Sequence, residues 1–509
     1  MSSPAEAGEV SGPRIDPVVL AAVAGLGLLT LVLVIAGDGN LGMALAPLIV
    51  AILALAAFRM PLRHSLLALG FLCLILESPS EVPANGLWQS PLYPVGELVL
   101  QHLNKVIPVK ALFFSGLDVA LVLLAIVWVF RRMTGSPLDM RGRIPPAAPL
   151  RTTALLSIAA IFLVWGYGLL RAGADVRFSL WQVNRVIYLP CIFLLCCAAA
   201  RGPSDARAFG TALVAAALVR ALLAAYLRHL FPSTEEMPHA TTHADSMLFA
   251  DAFLLVLIAL FEQRNRRNLI VALSTLPVLT VGMIANNRRL VWIELLSAFT
   301  FLCFIIPSSR FKKTLTRIVA FSLPVLALYV AIGWNRSSFP FQPIHSIQSA
   351  MDSSKDKSAL WRDLENYDLY YTVKQNPVLG TGFGHGYEEV VRLPDISRSF
   401  ELYRFAPHNS VLGLLAFAGY VGFSAIWLIF PLGVFFAVRS YRFSTVPRDR
   451  ITALTALATL IVFVVHCYGD LGFGTATFLF TVAPALALIA KQATATGAWP
   501  LSRRRLMAS

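Results

Sequence analysis

Residues 17–36 read PVVLAAVAGLGLLTLVLVIA, a run without a single charged side chain. A helix rises about 1.5 Å per residue, so a run of this length crosses a hydrocarbon core of roughly 30 Å. Outward from it, apolar blocks recur at 41–58, 64–76, 112–130, 153–170, 186–200, 207–227, 245–261, 268–285, 289–306, 317–334, 409–438, 451–466 and 472–490. Water does not reach the bilayer centre, so each block must satisfy its own backbone hydrogen bonds, and helices do so. Alternating segments of about ten residues, the mark of a membrane β-barrel, are absent. The sequence predicts an all-α polytopic membrane protein of about 14 transmembrane helices (12–14) with one long, partly helical loop.

Composition agrees. Of 509 residues, 57% are hydrophobic and 14% charged, where soluble domains carry about 25% charged residues. The expected organisation is an N-terminal bundle of about 11 spans over 1–334, a loop over 335–408, C-terminal helices over 409–490 and a basic tail over 491–509. Residues 1–16 are polar and no convincing cleavage site follows the first block, which reads as an uncleaved first span. The six cysteines fall within or at the ends of apolar blocks, without metal-ligand spacing or a disulfide framework. They read as buried structural thiols.

The net charge of +14 does not indicate nucleic acid. Its Lys and Arg residues sit in short clusters between apolar blocks, not on one face or tail. One set is Arg59/Arg63, Arg131/Arg132 with Arg141/Arg143, Arg201/Arg207, Arg264/Arg266/Arg267, Arg310/Lys312/Lys313/Arg317, Arg439/Arg442/Arg448/Arg450 and Arg503/Arg504/Arg505. All fall on the same side of the fourteen-span layout, which predicts both termini in the cytoplasm. Arg171, Arg177, Arg185, Arg288 and Arg289 oppose that rule. For Arg171, lipid-headgroup contact and ligand binding are equally open; for the others an anionic ligand outside is the better reading. His229, His239 and His243 lie close together but match no metal motif, and read as a solvated loop.

The loop 335–408 holds eight Lys/Arg and nine Asp/Glu, so it is not a polybasic membrane arm. Within it, Leu360, Leu364, Tyr367 and Tyr371 recur at helical spacing, predicting an amphipathic helix over 358–375 that Asn376-Pro377 ends. Gly380-Thr381-Gly382-Phe383-Gly384-His385-Gly386 follows, open to two readings: an anion-binding nest or a plain flexible turn. The loop closes on Tyr403-Arg404-Phe405-Ala406-Pro407-His408-Asn409-Ser410, with Asn409 or Ser410 as N-cap of the next helix. Gly419 makes a break in that helix plausible, leaving 409–418 as a half helix. His466 and Asp470 sit at the rim of a later span, where polar residues suggest function.

The run Asn376-Pro377-Val378-Leu379-Gly380-Thr381-Gly382, then His408-Asn409-Ser410-Val411-Leu412 and Gly419-Tyr420-Val421-Gly422, resembles the bacterial O-antigen ligase and polymerase superfamily. Asn286-Asn287-Arg288-Arg289 resembles that family's outward-facing arginine motif. The specific likeness covers roughly 280–425; the N-terminal half agrees in span pattern only. It implies a GT-C-like membrane glycosyltransferase in the bacterial inner membrane, with its long loop periplasmic. The implied reaction needs no metal or other cofactor and takes a glycan from an undecaprenyl-diphosphate carrier. In a polymerase the acceptor is another lipid-linked repeat unit; in a ligase it is the lipid A core. Two apparent extra spans favour polymerisation of O-antigen or exopolysaccharide repeats. A flippase and a chain-length regulator are candidate partners beside donor, acceptor and bilayer.

A diphosphate leaving group calls for cations where charge develops, and the planar fork of Arg suits phosphate. Arg288, Arg289 and Arg404 are the leading ligands, followed by Arg362, Arg177 and Arg185. His408 is the expected proton acceptor for the incoming hydroxyl. Gly380, Gly382, His385 and Asn409 are the expected glycan-side and loop residues. The rival class is a lipid-linked oligosaccharide flippase, which many Gly- and Pro-bearing spans also suit. It has no need of a long ordered outer loop. A scaffold leaves the outward arginines unexplained, and no Gly-x-Ser-x-Gly element supports an intramembrane serine protease.

Overall fold

The computed structural model describes residues 17–36, 41–76, 92–101, 103, 114–136, 143–232, 237–305, 310–336, 341, 344, 357–393 and 401–500. The polar N-terminus, Arg141, the tail with Arg503, Arg504 and Arg505, and parts of 77–111 and 335–408 lie outside the described residues. Helix accounts for 79% of the described residues, and no strand occurs among them.

The helices are α1 (Pro17–Ala36), α2 (Leu41–Arg59), α3 (Leu62–Ile75), α4 (Tyr93–Leu100), α5 (Gly116–Met133), α6 (Ala148–Leu170), α7 (Val176–Ala199) and α8 (Ala206–Leu230). Then come α9 (His243–Glu262), α10 (Arg266–Asn286), α11 (Leu290–Ile305), α12 (Arg310–Gly333) and α13 (Lys357–Gln375). The chain ends with α14 (Ser410–Trp427), α15 (Ile429–Phe443), α16 (Pro447–Gly469) and α17 (Ala476–Ala495). Among the described residues, nine helical segments are long and apolar enough to cross a membrane, with α3, α11 and most of α2 as shorter apolar helices. The protein is a multi-pass membrane protein. The six cysteines form no disulfide, and Cys73, Cys196, Cys197 and Cys467 are buried.

The centre of the bundle is α17, which packs against α7, α15 and α16. It is buried on nearly every side, and most of its residues are apolar, as suits a helix surrounded by others. Ala483, Ala487, Ala490 and Ala493 are each at most 1% exposed. Lipid tails are as apolar as leucine, so close van der Waals contact through small residues drives such packing.

Two local devices place the functional rim, here the end of the bundle that carries α13. The first is a break in α14, where Gly419 stands at φ 59°, ψ −175°. The half helix expected from the glycines is present. Its orphaned carbonyls at Ala416 and Phe417 accept the N–H groups of Thr381 and Gly382, both at 2.9 Å. Past the break, the N–H groups of Tyr420 and Val421 donate to Pro377 and Val378, at 2.8 and 3.1 Å. Segment 377–382 therefore completes the interrupted ladder, which is how a broken helix survives away from water. A Cβ on Gly419 would lie 2.4 Å from the Val378 carbonyl carbon, and one on Gly380 2.4 Å from that of Phe417.

The second device is capping. Thr242 and Asp245 form a capping box at the start of α9, and α10 ends on Asn287 in the left-handed conformation, φ 54°. Asparagine tolerates that region better than most residues. Asn409 is the N-cap of α14, accepting the Leu412 N–H at 3.1 Å.

One expectation needs correction. Helix α13 matches the predicted 358–375, but its buried side is not the stripe of Leu360 and Tyr367, which are 50% and 54% exposed. Glu365, Asp368, Leu369, Thr372 and Val373 face inward. The acids win the inner face because unpaired N–H groups of the neighbouring loop await them there. Asp368 accepts from Val390 and Val391 at 3.0 and 2.9 Å.

Candidate active site

The rim gathers side chains from five elements. From α13 comes Glu365, which is 1% exposed. One carboxylate oxygen accepts the backbone N–H of His408 at 3.0 Å. The His408 Nδ1 lies 3.2 and 3.3 Å from its two oxygens. An ionised carboxylate only accepts, so Nδ1 carries the proton and Nε2 holds a lone pair. The His408 side chain is 27% exposed, enough to be reached from outside. Beside this pair, the Tyr387 hydroxyl is buried, and burial together with Glu365, Glu389 and Asp368 pushes its pKa well above the ordinary phenol range.

A second histidine stands at the first position of α9. His243 Nδ1 is 2.5 Å from Asp470 Oδ2, at the end of α16. Its Nε2 contacts Arg288 Nη1, from the turn between α10 and α11. That turn is tied to segment 237–242 throughout. Asn286 bonds the N–H of Thr241 at 3.1 Å and the carbonyl of Thr242 at 3.3 Å. Asn287 donates to Pro238 at 3.1 Å, and Arg288 to the Thr241 carbonyl at 3.3 Å. Beneath it, Arg220 and Asp245 form a bidentate pair at 2.9 and 2.6 Å with both side chains buried. Removing one member of such a pair costs about 3–5 kcal/mol, because the other charge stays buried.

The third histidine lies deeper. His466 Nδ1 is 2.5 Å from Glu294 Oε1, and both side chains are wholly buried. Its ring lies 4.2 Å from that of Phe478. The clusters join through Ser410, which donates to the Asp470 carbonyl at 3.1 Å and accepts the Gly472 N–H at 2.9 Å. Burial alone raises a carboxyl's pKa. At Asp470 the interactions with His243, His466 and Arg362 outweigh it and hold the group well below the ordinary range. Arg362 thus joins α13 electrostatically to the Asp470 end of the rim.

The expected site residues separate accordingly. His408, Arg288, Arg289 and Arg362 fall on this rim. Arg404 turns instead to the Tyr387 carbonyl at 3.2 Å and to Glu389 at 3.9 Å. Arg177 pairs with Glu401 at 3.3 Å, both more than half exposed. Arg185 stacks 5.6 Å from the Trp181 ring. It lines a cavity of about 60 Å³ with Pro407, Ser410, Phe417 and Phe473. Arg171 donates to Asn376, Gly380 and Thr381 at 3.0–3.4 Å, so its role is to hold that loop segment.

Neither reading of the glycine segment stands. The N–H groups of Thr381 and Gly382 serve α14, and that of Gly384 donates to Gln182 at 2.6 Å. An anion nest needs such donors unoccupied, and a flexible turn does not make these bonds. His385 bonds the Gly168 carbonyl at 3.0 Å, and Asn409 Nδ2 reaches Asn366 at 3.1 Å. The solvated-loop reading of His243 also fails. Thr242-His243-Ala244-Asp245 is itself a capping signature, and it sets His243 at the first turn of an apolar helix. Sequence reasoning gave no role to Glu365, Glu294 or His243. Among the described residues no group of three or more His, Cys, Asp or Glu is arranged to hold a metal ion.

Comparison with known families gives one match: residues 274–427 fit the family model described as O-antigen ligase. Over that segment the chain is similar to an O-antigen ligase domain. The domain takes in the Arg288 turn, α13, His408 and the broken half of α14. It leaves out His243, His466 and Asp470, so the rim is completed by helices on both sides of the matched region. No curated protein matches the chain significantly.

Proposed function

We propose that the protein transfers a glycan from an undecaprenyl-diphosphate carrier to an acceptor hydroxyl on the periplasmic face of the inner membrane. The observation that carries this reading is the His408–Glu365 dyad, set on the same rim as Arg288 and Arg362. Nε2 of His408 accepts the acceptor's proton while Glu365 holds the ring and steadies the cation formed. The acceptor oxygen attacks the anomeric carbon, and the bond from that carbon to the diphosphate oxygen breaks. Arg288, Arg289 and Arg362 take up the charge that develops on the departing undecaprenyl diphosphate. Arg185 stands apart from this group, beside a small, mostly apolar cavity. Arg404, Arg177 and the segment with Gly380, Gly382 and His385 act on loop structure.

The basic clusters support this orientation, since the positive-inside rule favours cytoplasmic termini. A rim site under an ordered loop suits a transferase better than a flippase, whose arginines belong in a central cavity. The favoured reaction is polymerisation of O-antigen or exopolysaccharide repeat units. Ligation to lipid A core is the second reading, favoured by the description of the matched family. Gene deletion followed by glycan sizing separates them. Single repeats left on the core indicate a polymerase; loss of all attachment with lipid-linked polymer accumulating indicates a ligase. Unchanged polymer from a chain carrying both H408A and R288A, at normal protein level, rules out the site.

A further inference from the structure

His243 touches two partners of opposite character, and only one protonation state satisfies both. Asp470 is held ionised, so its oxygen can only accept, and His243 Nδ1 must bear a proton. Arg288 has only donors to offer, so Nε2 of the same ring must accept. The ring is therefore neutral, with one proton on Nδ1. A doubly protonated ring sets an N–H against a guanidinium N–H and breaks the contact. We propose that His243 is a positioning residue: with Asp470 behind it, it aims Arg288 at the diphosphate of the lipid-linked donor.

The proposal rests on the donor-site reading and extends it to a residue outside the matched family domain. Three features of the setting support it. The Thr242–Asp245 capping box fixes His243 at the start of α9, and the buried Arg220–Asp245 pair fixes the box. Asp470 is anchored independently, its carbonyl to Ser410 and its carboxylate to the Leu471 N–H at 2.8 Å. Arg288 has the Thr241 carbonyl as a second anchor, so the two contacts together define the plane of its fork. The ring also separates a carboxylate from a guanidinium. Without it, Asp470 is the nearest anion to draw Arg288 away from substrate.

The groups facing His243 are Asp470 from the end of α16, His466 within α16, Arg288 from the α10–α11 turn and His239 from the preceding segment. The His239 ring lies 6.2 Å away.

The test uses the full-length protein in nanodiscs, with undecaprenyl diphosphate as binding probe and lipid-linked glycan as substrate. H243A is expected to weaken probe binding and raise the donor KM by about tenfold, with kcat changed far less. H243Q presents an amide oxygen to Arg288 and an N–H to Asp470, so it restores most of the affinity. H243A/R288A binds no more weakly than R288A alone, since the two act as one unit. Multiplying effects, an H243Q as poor as H243A, or a loss confined to kcat overturns the proposal. If R288A binds like the wild type, the donor-site reading itself fails. If R288A is weakened while H243A is not, only the positioning role of His243 is lost. H243Q serves as the informative variant where H243A does not fold.

Discussion

The carboxylate of Glu365 holds His408 twice, by the backbone N–H at 3.0 Å and by Nδ1 at 3.2 Å. The first contact fixes where the residue enters α14; the second fixes which ring nitrogen carries the proton. A histidine acting as general base contributes about 10²–10⁴-fold, so H408A should lose transfer rate in that range with donor affinity little changed. E365Q keeps the shape but weakens the hold on the tautomer, and should lose a smaller part of kcat. Rates from a reconstituted transfer assay and donor Kd values check both. An H408A enzyme of wild-type kcat excludes the general-base role.

The Gly380–Gly419 junction predicts a different kind of damage. At each position φ is positive and an added Cβ lands 2.4 Å from a facing carbonyl carbon. G419A and G380A must therefore separate segment 377–382 from the broken helix. Strained positions of this sort cost about 1–3 kcal/mol each, before the lost backbone bonds are included. Both variants should lower the unfolding temperature and expose 376–384 to protease. Their effects should fall short of additive, because either substitution opens the same junction.

These two sites show what was legible beforehand. Long apolar runs reveal spans because a bilayer demands them, and Gly419, one of several glycines in its run, made a break there readable because glycine alone takes positive φ without strain. His408 was legible from its place at a helix start beside a loop. Glu365 was not, because the apolar stripe of Leu360 and Tyr367 pointed to the opposite face of α13. What decided that face was a set of loop N–H groups that no periodicity registers. The His243–Asp470 contact was hidden for another reason: it joins the start of α9 to the end of α16, far apart in the chain. The glycine segment misled because its composition suits a nest, and only tertiary contact shows its donors already engaged.

Two arginines that the fourteen-span layout sets against the charge rule should differ in effect. Arg177 pairs with Glu401 where both are largely exposed, and such pairs contribute about 0–1 kcal/mol. R177A should retain near-normal stability and glycan output. Arg171 holds the side chain of Asn376 and the carbonyls of Gly380 and Thr381. R171A should release that segment, giving faster amide exchange at 377–382 and lower output at equal protein level. Equal behaviour of the two variants contradicts this division.

Asp470 gives a pH prediction whose sign follows from its surroundings. Its folded-state pKa lies below the unfolded value of 3.8, because His243, His466 and Arg362 outweigh burial. The group then contributes stability at every pH above the unfolded value and loses it only as pH falls through the lower folded value. From pH 5 to 8 the carboxylate stays ionised, and its contribution is constant. D470N should therefore lower the unfolding temperature by a margin that does not vary across that window. Only below about pH 4 should the margin shrink, since the wild-type side chain then begins to lose the charge that the variant lacks. Unfolding midpoints of both proteins in detergent between pH 3 and 8 make the comparison. A margin that already closes between pH 5 and 6 means that the carboxylate itself titrates there, contrary to the hold that His243, His466 and Arg362 have on it.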